Sequence, residues 1–226
     1  MEYMTASRFR LPCALALLLL AFSGCQRHSG SSGSASAVRV PPRSTEWPLP
    51  QTASPQLRLF LASTIEQTGI TTGYDPAYVR LDYPGGDVPQ ETGVCSDVIV
   101  RAFRKAGIDL QKRVHEDMSA AWSAYPQRWG NARPDSNIDH RRVLNLMTFF
   151  SRQGKALPTS TTRDDYLPGD IVAWDLGAGV PHIGIVSNLV AESPQHFLII
   201  HNIGAGTRAE DVLFNWKITG HYRYFN

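Results

Sequence analysis

The sequence has little cysteine and no block of like charge. Its 226 residues include three cysteines, Cys13, Cys25 and Cys95. The 22 Lys and Arg residues are almost balanced by 20 Asp and Glu residues. A protein that follows a phosphate backbone needs a basic patch, and the few adjacent basic pairs are too short to form one. We therefore expect an ordinary globular domain without a nucleic-acid partner.

Long apolar runs are missing too, except for one near the N-terminus. The run from Leu11 to Phe22 follows two arginines and is too short to span a membrane, which is typical of an export signal. The stretch Leu20-Ala21-Phe22-Ser23-Gly24-Cys25 resembles a bacterial lipoprotein signal. This implies that residues 1–24 are removed and that Cys25 is lipidated. The alternative is an ordinary signal peptide that is cut near Gly24.

The segment that follows is rich in Ser, Gly and Pro and has few large apolar residues. Such a composition cannot bury enough surface to offset the entropy of ordering it. We therefore expect residues 25–54 to be a lipidated cysteine and a flexible tether, and residues 55–226 to be the folded domain. We expect the lipid anchor to hold the protein on a membrane surface that faces the periplasm. Of the two membranes, we favour the outer one.

Residues 55–226 change their pattern halfway. Apolar spacing predicts helices over 56–68, 94–106, 115–125 and 139–152. Short β-branched and aliphatic runs then predict strands over 170–174, 182–188, 197–202, 211–214 and 218–224. Helices followed by an antiparallel sheet indicate one α+β domain.

Cys95 would be the one free thiol of the processed chain, and it stands at the start of the second predicted helix. A lone exported cysteine is either buried and inert or retained for its chemistry. A helix N-terminus stabilises a thiolate, so we expect a lowered thiol pKa and faster alkylation than that of a free thiol. His182 opens one predicted strand and His201 ends the next, which supplies a base and a further polar group.

Four segments resemble, in order, those of the NlpC-type cell-wall cysteine peptidases. They are Gly93-Val94-Cys95-Ser96, Leu167-Pro168-Gly169-Asp170-Ile171-Val172-Ala173-Trp174, His182-Ile183-Gly184-Ile185 and Ile200-His201. The resemblance implies a papain-like domain in which the nucleophile helix packs on a C-terminal antiparallel sheet. It implies that Cys95 is the nucleophile, that His182 is the base and that His201 orients the imidazole.

The same resemblance implies residues around the nucleophile. Tyr83 would stand beside the oxyanion site, and Ser96 and Asp97 would face the substrate. Two positions depart from the pattern, because Val94 replaces the usual Asp and Asp97 replaces the usual Gly. Val94 cannot pair with a peptide amine, and Asp97 on a helix points about 200° away from Cys95. The usual stem-peptide specificity is therefore not implied.

A closer resemblance covers most of the domain. Its segments are Tyr74-Asp75-Pro76-Ala77-Tyr78, His115-Glu116-Asp117-Met118, Asn137-Ile138-Asp139-His140-Arg141-Arg142, His201-Asn202-Ile203-Gly204-Ala205-Gly206 and Thr219-Gly220-His221-Tyr222-Arg223-Tyr224. They are similar to domain-of-unknown-function family 1287, which is usually placed in the same superfamily. Among these residues the polar side chains either line a substrate cleft or form a buried network: His115, Asp117, Asp139, His140 and Arg141. Asn202 is a further candidate for the cleft.

The expected function is hydrolysis of an amide bond, with peptidoglycan peptides as the favoured substrate. We expect the reaction to pass through an acyl-enzyme and to need no cofactor or metal. The same nucleophile would also serve acyl or amide transfer. A non-enzymatic alternative makes Cys95, His182 and His201 ligands of zinc.

The third catalytic position can be His201 or Asn202. A hairpin turn centred between Ala191 and Glu192 would place His182 directly opposite His201, with Asn202 on the other face of the sheet. This register favours His201.

Overall fold

The computed structural model describes residues 44–191 and 196–225. The predicted signal over 1–24, the lipidation site Cys25 and the tether as far as residue 43 lie outside this part of the chain. Within it, no helix is long and apolar enough to cross a membrane.

Within the described residues, four α-helices lie between one short strand and the rest of the sheet: α1 Pro55–Ile70, α2 Cys95–Lys105, α3 Leu110–Ala120 and α4 Val143–Arg152. Ser54 caps α1 by accepting a hydrogen bond from the Leu57 N–H at 3.2 Å, and Asp109 caps α3 in the same way. Two predicted helices were misplaced. The third begins five residues earlier, and the fourth is split because Arg142 is extended, which separates a 3₁₀ turn at Asp139–Arg141 from α4.

In the part of the chain that the structure describes, seven strands form one antiparallel sheet. They are β1 Ser44–Glu46, β2 Ala156–Leu157, β3 Ile171–Asp175, β4 Pro181–Ala191, β5 Phe197–Asn202, β6 Thr207–Glu210 and β7 Lys217–Tyr222. Their order is β2-β7-β3-β4-β5-β6, and β1 pairs with β4. The predicted α+β class and its helices-then-sheet order are confirmed.

One predicted strand is absent, and β1, β2 and β6 were not predicted. The predicted strand over 211–214 is a turn region, and β6 lies just before it. The predicted tether runs too far, because Ser44 pairs with Ala191 and the Trp47 N–H donates to the Asn188 carbonyl at 2.7 Å. These backbone bonds bring residues 44–54 into the domain although their composition resembles that of a linker.

The helices cover one face of the sheet. Phe103 of α2 is fully buried and meets Phe60 of α1 edge-on, with ring centroids 5.1 Å apart. Burying such a side chain contributes roughly 1.5–3 kcal/mol. Ile183 and Ile185 of β4 complete this core from the sheet side, and Cys95 belongs to it. The core thus fixes the first turn of α2 against the start of β4.

Candidate active site

Hydrogen bonds from two other segments of the chain fix the loop that leads into α2 and the nucleophile. The Asp75 N–H donates to the Gly93 carbonyl at 3.2 Å. The side-chain amide of Asn202 donates to the carbonyls of Gly73 and Gly93, at 3.0 and 3.1 Å. Gly93 has φ +145°, and a Cβ there would lie 2.9 Å from the Asp97 carboxylate. These contacts restrict the backbone before Cys95 to one conformation, with Cys95 at the first position of the helix.

Burial governs the charge of Cys95, whose side chain is only 5% exposed. Burial raises the pKa of the thiol to about 12, although the backbone N–H groups of Ile183, Ser96 and Cys95 favour the thiolate. The expected lowering of the thiol pKa is therefore wrong. The helix N-terminus is present as predicted, but its effect is smaller than the cost of placing a charge away from water.

Alkylation should report this difference directly. Because the thiol is neutral at pH 7, we expect iodoacetamide to label Cys95 more slowly than a free model thiol, and labelling to accelerate only toward strongly alkaline pH. Mass spectrometry over a series of pH values measures the rate, with the urea-unfolded chain as the control of a solvated thiol. Labelling of the native chain faster than of the unfolded chain at pH 7 would contradict the buried, neutral state.

His182 lies at the start of β4 and is also buried. Its ring stacks beside that of Trp174, its partner on β3, at a centroid distance of 5.8 Å. Burial first, and then the electrostatic effect of the neighbouring His201 ring, lowers the pKa of His182 to about 3, so the imidazole of His182 is neutral. The next residue, Ile183, turns to the helix side, and its backbone N–H bonds to the Cys95 sulfur. Within the described residues, no hydrogen bond joins that sulfur directly to the His182 ring.

His182 and His201 touch, but not in the predicted register. Nε2 of His182 lies 2.8 Å from Nδ1 of His201. The ladder pairs Ile185 with Ile200, so the two histidines are diagonal neighbours rather than direct opposites. The predicted register was wrong by two residues at this site. Val190 pairs with Phe197, four residues from the predicted partner, and the irregularity between Val186 and Val190 reduces the error to two. A shift of two leaves every side chain on its predicted face, which is why the contact survives.

A close approach explains the glycine of this strand. Continuing the ladder places Gly184 opposite His201, and a Cβ on Gly184 would lie 3.1 Å from that of His201. The His201 ring leans across this gap toward His182. Trp216 covers both rings, with centroid distances of 6.1 Å to His182 and 6.3 Å to His201.

His201 has a second partner that the sequence patterns did not indicate. Its Nε2 lies 3.0 Å from the Glu210 carboxylate, and the His201 side chain is fully buried. Glu210 ends β6, a short polar strand that follows Gly206. No hydrophobic alternation marks β6, so neither the strand nor its glutamate was predicted.

Ser96 and Asp97 do not face a substrate. The Asp97 carboxylate receives two bonds from the Arg141 guanidinium, at 2.9 and 3.0 Å, and both side chains are almost fully buried. It also accepts the Val94 N–H at 2.7 Å. The Ser96 hydroxyl donates to the Arg141 carbonyl at 2.6 Å. These contacts attach the Asp139–Arg141 turn to α2 and correct both predictions.

Arg141 extends the same network to the loop on the other side of Cys95. Its remaining N–H groups donate to the carbonyls of Ala77 and Asp75, at 3.0 and 3.2 Å. The next side chain toward the nucleophile in this loop is Tyr74. Burial first, and then the electrostatic effects of Cys95 and Asp97, raise the pKa of Tyr74.

Tyr83, the tyrosine expected beside the oxyanion site, lies elsewhere. Its ring contacts His115 of α3 edge-on, 5.1 Å between centroids. Its pKa is raised first by burial and then by the charges of Glu116 and Asp109, and Cys95 is not among the causes. Tyr74, whose neighbour Asp75 bonds to the Gly93 carbonyl, is the tyrosine whose loop is attached to the segment before α2.

The other candidate cleft residues divide between a network and the surface. Asp139 and His140 are buried, and burial lowers the pKa of His140 to about 4. Asp139 binds Arg142 at 3.1 Å, and Asp117 binds Arg152 and the Tyr125 hydroxyl. The buried-network alternative thus holds for Asp139 and Arg141. Asp117 forms a partly exposed ion pair, and His140 is buried without a hydrogen bond at Nδ1 among the described residues.

His115 and Asn202 have separate positions. His115 is partly exposed and borders an open depression of about 980 Å³. Asn202 points to the helix side of the sheet, as predicted, where it holds the two loops beside Cys95.

The zinc alternative lacks its ligand cluster. Across residues 44–191 and 196–225, no three His, Cys, Asp or Glu side chains are arranged to hold a metal ion. The ring nitrogens by which His182 and His201 face each other are already bonded together.

Comparison with known proteins identifies the family. An uncharacterized protein of Escherichia coli K12, YijF, is 61% identical over 160 residues, which cover 71% of this chain and 78% of YijF. A crystal structure of a protein described as similar to lipoprotein, NLP/P60 family, from Staphylococcus aureus Mu50 is similar at 14% identity and a TM-score of 0.36. That match covers 79% of this chain and 45% of the staphylococcal chain. The family described as a domain of unknown function, DUF1287, matches residues 61–224. The chain belongs to the DUF1287 family.

Proposed function

We propose that this chain is a cell-envelope thiol hydrolase that cleaves an amide bond, with peptidoglycan peptides as its substrate class. One observation carries the proposal: the thiol at the start of α2 meets the backbone beside His182, whose Nε2 is bonded to His201. Nδ1 of His182 makes no hydrogen bond among the described residues. This is the nitrogen left to receive the thiol proton.

The residues support acyl transfer in two steps. The Cys95 sulfur attacks the carbonyl carbon while His182 Nδ1 takes the thiol proton. The same proton passes to the leaving amine, and a thioester remains on Cys95. Water then attacks the thioester and gives a proton to Nδ1, and that proton returns to the sulfur as the acid leaves. The Cys95 backbone N–H at the helix start and the Tyr74 hydroxyl are the donors for the oxyanion.

The proposed substrate class follows from the proposed location. The leader resembles a lipoprotein signal, so Cys25 would hold the domain on a membrane that faces the cell wall, the outer membrane by preference. Incubation with purified peptidoglycan, followed by mass spectrometry of released fragments, tests the reaction. New carboxyl and amine ends indicate hydrolysis, whereas an exchanged amine indicates transfer. Unchanged peptidoglycan, together with unchanged envelope peptides, would contradict the proposal.

Variants of His201 and Asn202 test which of the two is the third catalytic residue. His201→Ala removes the partner of His182 Nε2, so we expect turnover to fall by roughly 100-fold or more at little change in the substrate concentration for half-maximal rate. Asn202→Ala frees the carbonyls of Gly73 and Gly93, so we expect mainly a loss of stability, about 1–3 kcal/mol. Measurements of turnover and of urea unfolding on both variants distinguish a catalytic role from a stabilising one. An active His201→Ala enzyme would show that the assignment is wrong.

Two tyrosines give a second matched pair. Tyr74→Phe removes one donor to the oxyanion, and we expect turnover to fall by on the order of 10- to 100-fold. Tyr83→Phe keeps the ring that contacts His115 and should leave turnover within about twofold. The opposite ranking of the two variants would return the oxyanion role to Tyr83.

A further inference from the structure

Three strands carry a continuous line of hydrogen bonds on the face of the sheet away from α2. His182 of β4 meets His201 of β5 at 2.8 Å, and His201 meets Glu210 of β6 at 3.0 Å. Glu210 pairs with Ile199 in the ladder, so it is a diagonal neighbour of His201 on the same face. The line ends in a carboxylate that is 20% exposed, whereas the His201 side chain is fully buried.

The chemistry of these groups sets where the protons lie. An ionised carboxylate only accepts hydrogen bonds, so the Nε2 that faces Glu210 must carry a proton. In a neutral imidazole the other nitrogen of His201, Nδ1, is then an acceptor. It can bond to His182 only if His182 Nε2 is the donor. Nδ1 of His182 is then left with its lone pair.

The opposite arrangement would disable the base. If His201 carried its proton on Nδ1, it would donate to His182 Nε2 and force the His182 proton onto Nδ1. A protonated Nδ1 cannot take the thiol proton. Burial and the cover of Trp216 leave few other partners to select between the two arrangements. The carboxylate at the end of the line therefore makes the selection.

We infer that Glu210 is a positioning residue that fixes the tautomers of His201 and His182 and so keeps His182 Nδ1 ready as a base. The inference rests on the proposed function for its effect on turnover. Its structural part does not, because the tautomers exist without any substrate.

Nitrogen-15 NMR of histidine-labelled full-length protein at neutral pH tests that part. We expect both His182 and His201 to be protonated at Nε2 and unprotonated at Nδ1. Glu210→Leu should abolish this preference at His201. Glu210→Gln keeps an acceptor oxygen and should retain the preference. A wild-type His201 with its proton on Nδ1, or with protons on both nitrogens, would overturn the inference even if Glu210→Leu did not fold.

Turnover supplies the second readout. We expect Glu210→Leu to lose at least about 100-fold and Glu210→Gln to recover most of it, since a positioned base contributes roughly 100- to 10,000-fold. Asp211→Asn is the matched control, because Asp211 binds His196 and Arg163 and touches neither histidine of the line. Tautomers that do not change in Glu210→Leu would overturn the inference. Correct tautomers in a protein without turnover would count against the proposed function alone.

Discussion

Replacement of Cys95 by alanine is expected to abolish release of peptidoglycan fragments while leaving the domain folded. The nucleophile of an acyl-transfer site accounts for on the order of 10⁴-fold or more of its rate. The buried thiol otherwise behaves as a small apolar side chain, so its loss should cost only about 1–2 kcal/mol of unfolding free energy. Fragment release and thermal unfolding of Cys95→Ala measure the two quantities separately.

Cys95→Ser controls for volume, because its hydroxyl fills almost the same space without the reactivity of sulfur. We expect it to be as inactive as the alanine variant. Fragment release by Cys95→Ala at the wild-type rate would remove Cys95 from the mechanism.

Breaking the ion pair between Asp97 and Arg141 is expected to produce the largest loss of stability. Arg141→Met leaves the Asp97 carboxylate buried without its partner, which typically costs about 3–5 kcal/mol. It also removes the donors to the carbonyls of Asp75 and Ala77, so the loop that carries Tyr74 loses its anchor. Unfolding in urea measures the free energy from the midpoint and slope of the transition.

An exposed ion pair provides the comparison. Lys112 and Glu116 lie 3.9 Å apart on α3 with about half of each side chain exposed. Glu116→Gln should change the unfolding free energy by less than about 0.5 kcal/mol. If Arg141→Met were as mild as Glu116→Gln, the pair would not hold the site together.

The parts of the site that follow chain periodicity were predictable. The lone cysteine at a helix start and two histidines at strand ends depend on local pattern, and each lies on its predicted element. The face of the sheet was also predictable, because side chains alternate and an error of two residues in the β4–β5 register restores the same face. An error of one residue would have brought Asn202 into the place of His201.

What escaped prediction depends on contacts between distant segments. Burial of Cys95 comes from β4 and α1 packing over the start of α2, and it reverses the pKa shift that the helix alone would give. The loop that carries Tyr74 is attached to the segment before α2 by backbone bonds between two irregular loops. Glu210 comes from an edge strand without an apolar pattern. Local sequence carries no signal for any of these contacts.

The neutral states of Cys95 and His182 predict how the rate depends on pH. His182 loses its base function only when it is protonated, near a pKa of about 3, and the thiol ionises near a pKa of about 12. Because both pKa values lie far from neutrality, we expect the rate at low substrate to be flat between about pH 5 and pH 9. A bell-shaped profile centred near pH 6, as a thiolate–imidazolium pair produces, would contradict the neutral pair.

The most direct test of Cys95 as the nucleophile is to trap the acyl-enzyme. Protein that is turning over peptidoglycan fragments is quenched in acid, and its intact mass is measured before and after treatment with neutral hydroxylamine. We expect a single added mass equal to the acyl part of the released product, located on Cys95 and removed by hydroxylamine as a thioester. Turnover with an adduct on another residue, or with one that resists hydroxylamine, would contradict it.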